Sequence, residues 1–289
     1  MRLRTVVGMG VVSFFLLSSG CVATTQSTTP PLKQAELKVE NKKGLKKQKP
    51  NSKQTKSMIS QEYVYLSKEE KKELAAIKKR PIVFKGSSQS KKVALTFDDG
   101  PDIEVTSKIL KILREEHVPA TFFVTGRMVK EYPQMLKQID EEGHVIGNHS
   151  WSHPQLTKLS SEKIESELHR TNEIIEKVVG KKVLLFRPPY GATNSRVQQV
   201  IKKNGFLIIN WSVDTNDWRG NSGSTIEKIV KQQVSPGGII LQHNAGNKLQ
   251  GTIDALPKMI SFLKSQGYQL VTVDQLLDSP PYKIASQQK

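Results

Sequence analysis

The stretch Val93-Ala94-Leu95-Thr96-Phe97-Asp98-Asp99-Gly100-Pro101 joins a short apolar run to two adjacent carboxylates and a Gly-Pro turn. Residues 93–97 are predicted to form a buried β-strand, because the run is short, apolar and followed at once by turn residues. Side chains of a strand alternate between its faces, but at a strand end that turns, Asp98 and Asp99 can both face one site. Two carboxylates that close repel each other, so the pair indicates a cation between them.

Downstream of this stretch, apolar strand patterns alternate with amphipathic helix patterns. Strands are predicted at residues 93–97, 120–125, 144–148, 182–186, 206–213, 238–242 and 268–273. Seven β-then-α units favour a parallel sheet or barrel of the α/β class. In parallel α/β barrels, functional residues lie at the carboxyl ends of the strands.

Five of the predicted strands end in residues that can carry chemistry. The Asp pair follows the first strand, and a His-Ser-Trp-Ser-His segment at 149–153 follows the third. Arg187 follows the fourth strand, Asp214 the fifth and His243 the sixth. A barrel would therefore gather these distant residues on one rim.

Five motifs in this order resemble the polysaccharide deacetylases of carbohydrate esterase family 4 over about residues 81–277. The motifs are Thr-Phe-Asp-Asp-Gly-Pro (96–101), His-Ser-Trp-Ser-His (149–153), Arg-Pro-Pro-Tyr (187–190), Asp-Thr-Asn-Asp-Trp (214–218) and Leu-Gln-His (241–243). The resemblance implies an incomplete seven-stranded (β/α) barrel, which agrees with the strand pattern.

Asp99, His149 and His153 supply one carboxylate and two imidazoles. The four-residue spacing of the histidines suits one helical turn or a tight loop. The resemblance implies that these three positions bind a divalent metal. Three protein ligands with an open position are typical of catalytic zinc, and cobalt, nickel and manganese also accept this ligand set.

The resemblance also implies roles for residues near the metal. Asp98 would take a proton from the attacking water, and Arg187 would orient Asp98 through a planar, bidentate contact. The backbone N–H of Tyr190 would stabilise the oxyanion, together with the metal.

The last two motifs would supply the general acid and part of the substrate groove. His243 would protonate the leaving amine, and Asp214 would raise its pKa and fix its tautomer. The residues alone leave open that Asp214 only caps the turn before Asn216. Trp218 and Leu241 match groove positions of the family, and the alternative is that they belong to the core.

Residues 1–20 have the layout of a secretory signal peptide. A basic start is followed by a 12-residue apolar run and by small residues before Cys21. The run is too short for an ordinary transmembrane helix. We expect Cys21 to become a lipidated N-terminus on the outer face of the cytoplasmic membrane, and the alternative is a plain signal peptide cut near Ala23.

Residues 21–80 are expected to form an unfolded, Lys-rich tether with a short helix near residues 68–79. Residues 22–80 carry 15 Lys and Arg against 6 Asp and Glu, too polar a composition to bury a core. Ser67 and Glu70 have the spacing of a capping box. The tether is interpreted either as a contact for anionic wall polymers or lipid head groups, or as a solvated linker. Nucleic acid is not an expected partner, because no aromatic residues are interleaved for base stacking.

Residues 81–280 are expected to form the catalytic domain, with a tail at 281–289. The predicted function is removal of N-acetyl groups from cell-wall glycan, with peptidoglycan N-acetylglucosamine as the expected substrate and activity on chitooligosaccharides. Three alternatives stay open: an O-acetyl esterase of the same family, a non-catalytic wall-binding module, and an iron(II) oxygenase, since two histidines and a carboxylate also bind iron(II).

Overall fold

A computed structural model describes residues 66–283, in which eight short parallel strands are surrounded by helices. The strands are β1 Lys92–Asp98, β2 Thr121–Val124, β3 Val145–Asn148, β4 Leu185–Phe186, β5 Leu207–Ile208, β6 Val213–Asp214, β7 Ile239–His243 and β8 Gln269–Leu270. The helices are α1 Lys68–Lys78, α2 Val105–Glu115, α3 Gly126–Glu131, α4 Pro133–Glu141, α5 Ser161–Val179, α6 Ser195–Lys203, α7 Gly223–Gln233, α8 Gln250–Ser265 and α9 Val273–Leu277. The strand order is β5-β4-β3-β2-β1-β7-β6, and β8 pairs with the start of β1.

The sheet is curled, and its two edge strands, β5 and β6, follow each other directly in the chain. β5 pairs with β4 and β6 pairs with β7, so residues 209–212 cross from one edge to the other. Val83 lies in this gap: its N–H donates to Ile208 and its carbonyl accepts from Asn210. The incomplete (β/α) barrel is confirmed, but the single strand predicted at 206–213 is wrong, because that apolar run bends between two edges.

β1 is buried on both faces, which explains its continuous apolar run. Val93, Leu95 and Phe97 pack outward against the helices, and Ala94 packs into the barrel interior. Thr96 is the next residue of the inward-facing row, and the same alternation brings the side chain of the last β1 residue to the interior at the rim.

Helix α1 packs against the barrel, although its sequence is rich in lysine. Leu74 and Ile77 are 1% and 3% exposed and belong to the inner apolar cluster. The Ser67 hydroxyl caps the helix by accepting from the N–H of Glu70, while the carboxylate of Glu70 accepts from Ser90. The short helix predicted near residues 68–79 is confirmed. Its placement in the tether was wrong, because it packs on the barrel and belongs to the folded domain.

None of the helices within residues 66–283 is both long and apolar enough to cross a bilayer. The predicted signal peptide, Cys21, the tether up to residue 65 and the tail from residue 284 lie outside the described residues.

Candidate active site

The carboxyl ends of the parallel strands meet at one rim, where the predicted site residues lie. Asp98 and His243 are the last residues of β1 and β7, and they are partners in the strand register. β3 and β4 end side by side, which brings His149 next to Arg187. Residues that are far apart in sequence thus meet because parallel strands end at the same edge.

Asp99, His149 and His153 form a cluster whose ligand atoms all lie within 4.8 Å of one another. Oδ1 of Asp99 lies 3.4 Å from Nε2 of each histidine. This oxygen is buried and has no hydrogen-bond partner among the described residues. Because an unpaired buried carboxylate oxygen is costly, the residues fit a divalent cation held between them.

Hydrogen bonding sets His149 in the tautomer that a metal ligand needs. Its Nδ1 lies 2.7 Å from the carbonyl oxygen of Arg187. A carbonyl only accepts, so Nδ1 carries a hydrogen, and Nε2, which faces Asp99, is the nitrogen that a metal could bind. Burial lowers the pKa of His149, but Asp98 and Asp99 outweigh it and raise that pKa. Burial raises the pKa of Asp99, yet His149, with His153 and His243, lowers it to about 2, so this carboxylate is ionised.

The two histidines of the cluster, His149 and His153, are joined by a tight loop rather than by a helical turn. Ser150 and His153 have φ values of 67° and 56°, in the left-handed region. The Ser150 hydroxyl accepts from the N–H of His153, and Oδ1 of Asn148 accepts from the N–H of Ser150. These turns bring the two imidazole rings within 4.9 Å of each other, centroid to centroid.

Arg187 holds Asp98 in a dry environment. Arg187 is fully buried and Asp98 is 2% exposed. One guanidinium nitrogen donates to Oδ1 of Asp98 at 2.7 Å and to the Thr96 hydroxyl at 2.8 Å, while the guanidinium plane lies 4.1 Å above the Phe123 ring. The contact uses one nitrogen and one oxygen, so the bidentate prediction was wrong. Oδ2 of Asp98 is left facing His149 Nε2, 3.7 Å away.

The carboxylate partner of His243 is Asp217 and not Asp214. Nδ1 of His243 lies 2.7 Å from Oδ1 of Asp217. Asp214 instead accepts the N–H of Asn216 at 2.8 Å, which is the turn-capping alternative. Asn216 has a φ of 52° and precedes the 3-10 turn Asp217–Arg219. This reversal of the chain directs the later Asp side chain towards β7, so the prediction for Asp214 was wrong.

Asp217 is held by four donors. Its Oδ1 accepts from His243 Nδ1 and the N–H of Trp218, and its Oδ2 accepts from the N–H of His243 and the hydroxyl of Thr252. Burial lowers the pKa of His243, but the contact with Asp217 outweighs burial and raises it to about 9. His243 is therefore an imidazolium at neutral pH, oriented through Nδ1, with Nε2–H available as an acid.

The three predicted substrate contacts differ in exposure. Tyr190 is 66% exposed, and its ring meets the edge of His153 at 4.6 Å. Trp218 is 51% exposed, with the Arg219 guanidinium 4.7 Å from its ring. Leu241 is 3% exposed, so most of its surface packs in the core. Two aromatic faces are thus open to a ligand at the rim.

Sequence reasoning missed two residues that shape the site. The side chain of Asn244 accepts from the N–H of Gly100 and packs so closely that a Cβ at position 100 would lie 2.2 Å from it. Glu167 accepts from the backbone between the two histidine ligands. The signal for Asn244 was its place next to His243, whereas Glu167 looks like an ordinary solvent-facing residue of an amphipathic helix.

The proteins to which this chain is similar in sequence and structure include several that are named as deacetylases. The polysaccharide deacetylase family model matches residues 85–209. The chain is 41% identical over 204 residues to a peptidoglycan-N-acetylglucosamine deacetylase of Bacillus cereus, covering 70% of this chain and 74% of the relative. It is 36% identical over 215 residues to the peptidoglycan-N-acetylmuramic acid deacetylase PdaA of Bacillus subtilis, covering 73% and 80%. The crystal structure of the Bc1960 peptidoglycan N-acetylglucosamine deacetylase superposes with a TM-score of 0.70 at 40% identity, covering 72% of this chain and 98% of that one.

Proposed function

Since this chain belongs to the polysaccharide deacetylase family and is a hydrolase of amide bonds, we propose that it removes N-acetyl groups from peptidoglycan N-acetylglucosamine. Relatives named for N-acetylglucosamine and for N-acetylmuramic acid are similar in identity, at 41% and 42%, but the match to the first covers 74% of its length and the match to the second 38%. The fuller match favours N-acetylglucosamine as the sugar. The family assignment sets aside the iron(II) oxygenase, and the relatives named as peptidoglycan deacetylases favour an enzyme over a non-catalytic module.

One observation carries the proposed chemistry. A buried carboxylate, Asp98, and an imidazolium, His243, lie at the ends of adjacent strands beside a cluster of three potential metal ligands. Each has its own buried partner, Arg187 or Asp217, which fixes its orientation. Amide hydrolysis needs such a base for the water and such an acid for the departing nitrogen.

The cluster Asp99, His149 and His153 would hold one divalent metal, zinc by default and cobalt, nickel or manganese as alternatives. When bound, the metal would polarise the acetyl carbonyl and acidify a water. The pKa of Asp99, held at about 2, keeps this ligand ionised at any working pH. The lone pair on His149 Nε2 is available because Arg187 accepts the hydrogen on Nδ1.

The protein groups divide the proton transfers. Oδ2 of Asp98 takes the proton of the attacking water, because Oδ1 is bound to Arg187. Nε2–H of His243 gives its proton to the amine, and the neutral ring stays hydrogen-bonded to Asp217 through Nδ1–H. The N–H of Tyr190, in a backbone with φ 60°, is the proposed oxyanion donor. The exposed ring of Trp218 is the proposed contact for the sugar face.

Acetate release from purified cell-wall glycan tests this function. We expect release that stops with a chelator and returns with Zn²⁺. Mass spectrometry of muramidase digests then shows which sugar has lost its acetyl group. Loss from N-acetylmuramic acid alone would overturn the assignment to N-acetylglucosamine, and release only from acetylated xylan would instead indicate an ester substrate.

The proposed location is the outer face of the cytoplasmic membrane, with Cys21 lipidated and the Lys-rich tether in contact with anionic wall polymers. Support comes from the apolar run and small residues before Cys21 and from the 9 Lys against 3 Glu of residues 22–65. Fatty-acid labelling of the protein and of its Cys21→Ser variant tests the anchor. Equal label in both would contradict it.

A further inference from the structure

The loop between the two histidines, residues 150–152, has a strained backbone conformation that its own residues do not stabilise. Ser150 and His153 both have positive φ, which is unfavourable for residues with a side chain. Conformations of this kind persist only where surrounding contacts over-determine them. The contacts around this loop therefore decide whether His149 and His153 face one point.

One face of the loop is held by the start of helix α3. The carbonyl of Ser150 accepts from the N–H of Gly126, and the carbonyl of Trp151 accepts from the N–H of Arg127, both at 3.0 Å. Gly126 is required at this contact, because a Cβ there would lie 2.3 Å from the Trp151 ring. The loop's acceptors are thus satisfied on this side.

The other face of the loop is held by the carboxylate of Glu167, on helix α5. Its Oε2 accepts from the N–H groups of Trp151 and Ser152, both at 2.8 Å. Its Oε1 accepts from the Ser152 hydroxyl at 3.0 Å. Within residues 66–283, no Lys or Arg forms an ion pair with Glu167, so the loop donors are the partners of its charge. Hydrogen bonds to an ionised acceptor are the strong ones.

Helix α5 also fixes the strand end from which the loop starts. The side-chain amide of Asn148 donates to the Leu168 carbonyl at 2.9 Å and to Oδ1 of Asn172 at 3.0 Å. Oδ1 of Asn148 in turn accepts from Ser150. Neighbouring positions of one rigid helix therefore hold both the residue before His149 and the backbone after it.

We infer that Glu167 is a positioning residue that sets the metal affinity of the site by holding the loop between His149 and His153. It does not reach the metal or the substrate; it fixes the direction of two ligands. This inference rests on the proposed metal binding by these histidines and Asp99. Residues that orient ligands from behind typically change metal affinity by about 10–100-fold when removed.

Zinc affinity of the purified chain, measured by competition with a chromogenic chelator, tests the inference. We expect Glu167→Ala to bind Zn²⁺ about 10–100-fold more weakly than the unmodified chain. Glu167→Gln keeps the shape and one acceptor oxygen, so its loss should be smaller. Glu173→Gln is the matched control, because Glu173 is an exposed residue of the same helix. At saturating Zn²⁺, we expect kcat and KM of Glu167→Gln to return to those of the unmodified chain.

Three results would overturn the inference. One is a Zn²⁺ affinity of Glu167→Ala equal to that of the unmodified chain. Another is an equal loss in the Glu173→Gln control. The third is a kcat deficit in Glu167→Gln that excess Zn²⁺ does not repair, which indicates general structural damage. If Glu167→Ala does not fold, the Zn²⁺ affinity of Glu167→Gln is the test: weaker binding than in the unmodified chain supports the inference, and equal binding overturns it. An unmodified chain that binds no Zn²⁺ would overturn the proposed metal site as well, and acetate release would show whether hydrolysis survives.

Discussion

Replacing Asp217 by Asn removes the charge that keeps His243 protonated. Burial alone lowers the pKa of His243, and the contact with Asp217 is the main reason that it reaches about 9. If His243 acts as the general acid, kcat/KM is maintained below this pKa and lost as the pH rises through it. The variant should therefore lose activity at a much lower pH.

The size of the effect follows from the two pKa values. The rise from 6.5 to about 9 corresponds to about 3 kcal/mol in favour of the protonated ring, which is largely buried and little screened by water. At pH 8, about 90% of His243 is protonated in the unmodified chain, against under about 3% once the pKa falls to 6.5 or below. We expect kcat/KM at pH 8 to fall about 30-fold or more. The raised pKa also stabilises the fold below about pH 6.5, and this contribution is lost as the pH rises through about 9.

The assay is a pH profile of kcat/KM from pH 5 to 10, with Zn²⁺ saturating and acetate release as the signal. Asp214→Asn is the control, because Asp214 binds only Asn216, two residues away. The alkaline limb of Asp214→Asn should stay where it is, while that of Asp217→Asn moves down by about 2.5 pH units or more. A shift in the Asp214 variant, with none in the Asp217 variant, would refute the pairing. Asp98 and Asp99 also raise the pKa of His243, by less than Asp217 does, and a bound cation would offset their effect. The test is therefore the difference between the two variants, measured with the same Zn²⁺ present.

Three further predictions concern the base and the domain boundary. Asp98→Asn should abolish acetate release but keep bound Zn²⁺; loss of Zn²⁺ as well would contradict the division between base and ligand. Arg187→Met leaves the buried Asp98 charge unpaired and should cost about 3–5 kcal/mol in urea unfolding. Adding Asp98→Asn to that variant should recover part of this loss, and no recovery would contradict the charge explanation. Leu74→Ala should cost about 2–5 kcal/mol because the side chain is 1% exposed. Glu69 is exposed on the same helix, so Glu69→Gln should leave the free energy of unfolding almost unchanged. If Leu74→Ala were as stable as Glu69→Gln, helix α1 would not be part of the folded domain.

The rim could be predicted because it depends on few, strong features of the chain. A strand buried on both faces is a mostly apolar run, and its end is marked by the first residue whose side chain can carry a charge. Asp98 and His243 each follow such a run, and they are indeed partners in the register of β1 and β7. Parallel strands then bring every such end to one edge, whatever separates them in sequence.

The partner of His243 could not be predicted, because two Asp residues lie three positions apart in one loop. Choosing between Asp214 and Asp217 depends on where the chain reverses. That reversal is made by Asn216 with a φ of 52°. Asn tolerates the left-handed region, but nothing in its neighbours requires it there. The choice is made by tertiary contacts, such as the hydroxyl of Thr252 on the Asp217 carboxylate.

The packing of helix α1 on the domain and the role of Glu167 were both overlooked for one common reason. Composition reports the average polarity of a segment, while burial depends on single side chains. Leu74 and Ile77 pack helix α1 against the barrel, although most of its other residues are Lys and Glu. Glu167 stands on an amphipathic helix where acidic residues ordinarily face water. Its role becomes visible only when the N–H groups that it binds are located.

Strain in the backbone is concentrated where the proposed chemistry lies. Five of the eight non-glycine residues with positive φ in residues 66–283 belong to the site motifs: Asp99, Ser150, His153, Tyr190 and Asn216. Each such residue costs of order 1 kcal/mol or more, so selection for stability alone would remove them. They remain because each aims a group that a regular strand or helix would direct elsewhere. At Asp99, the positive φ lets two successive carboxylates of one chain serve one site, which an extended strand forbids. The buried hydrogen bonds behind the rim offset this strain, and the site is therefore sensitive to residues that never contact its ligands.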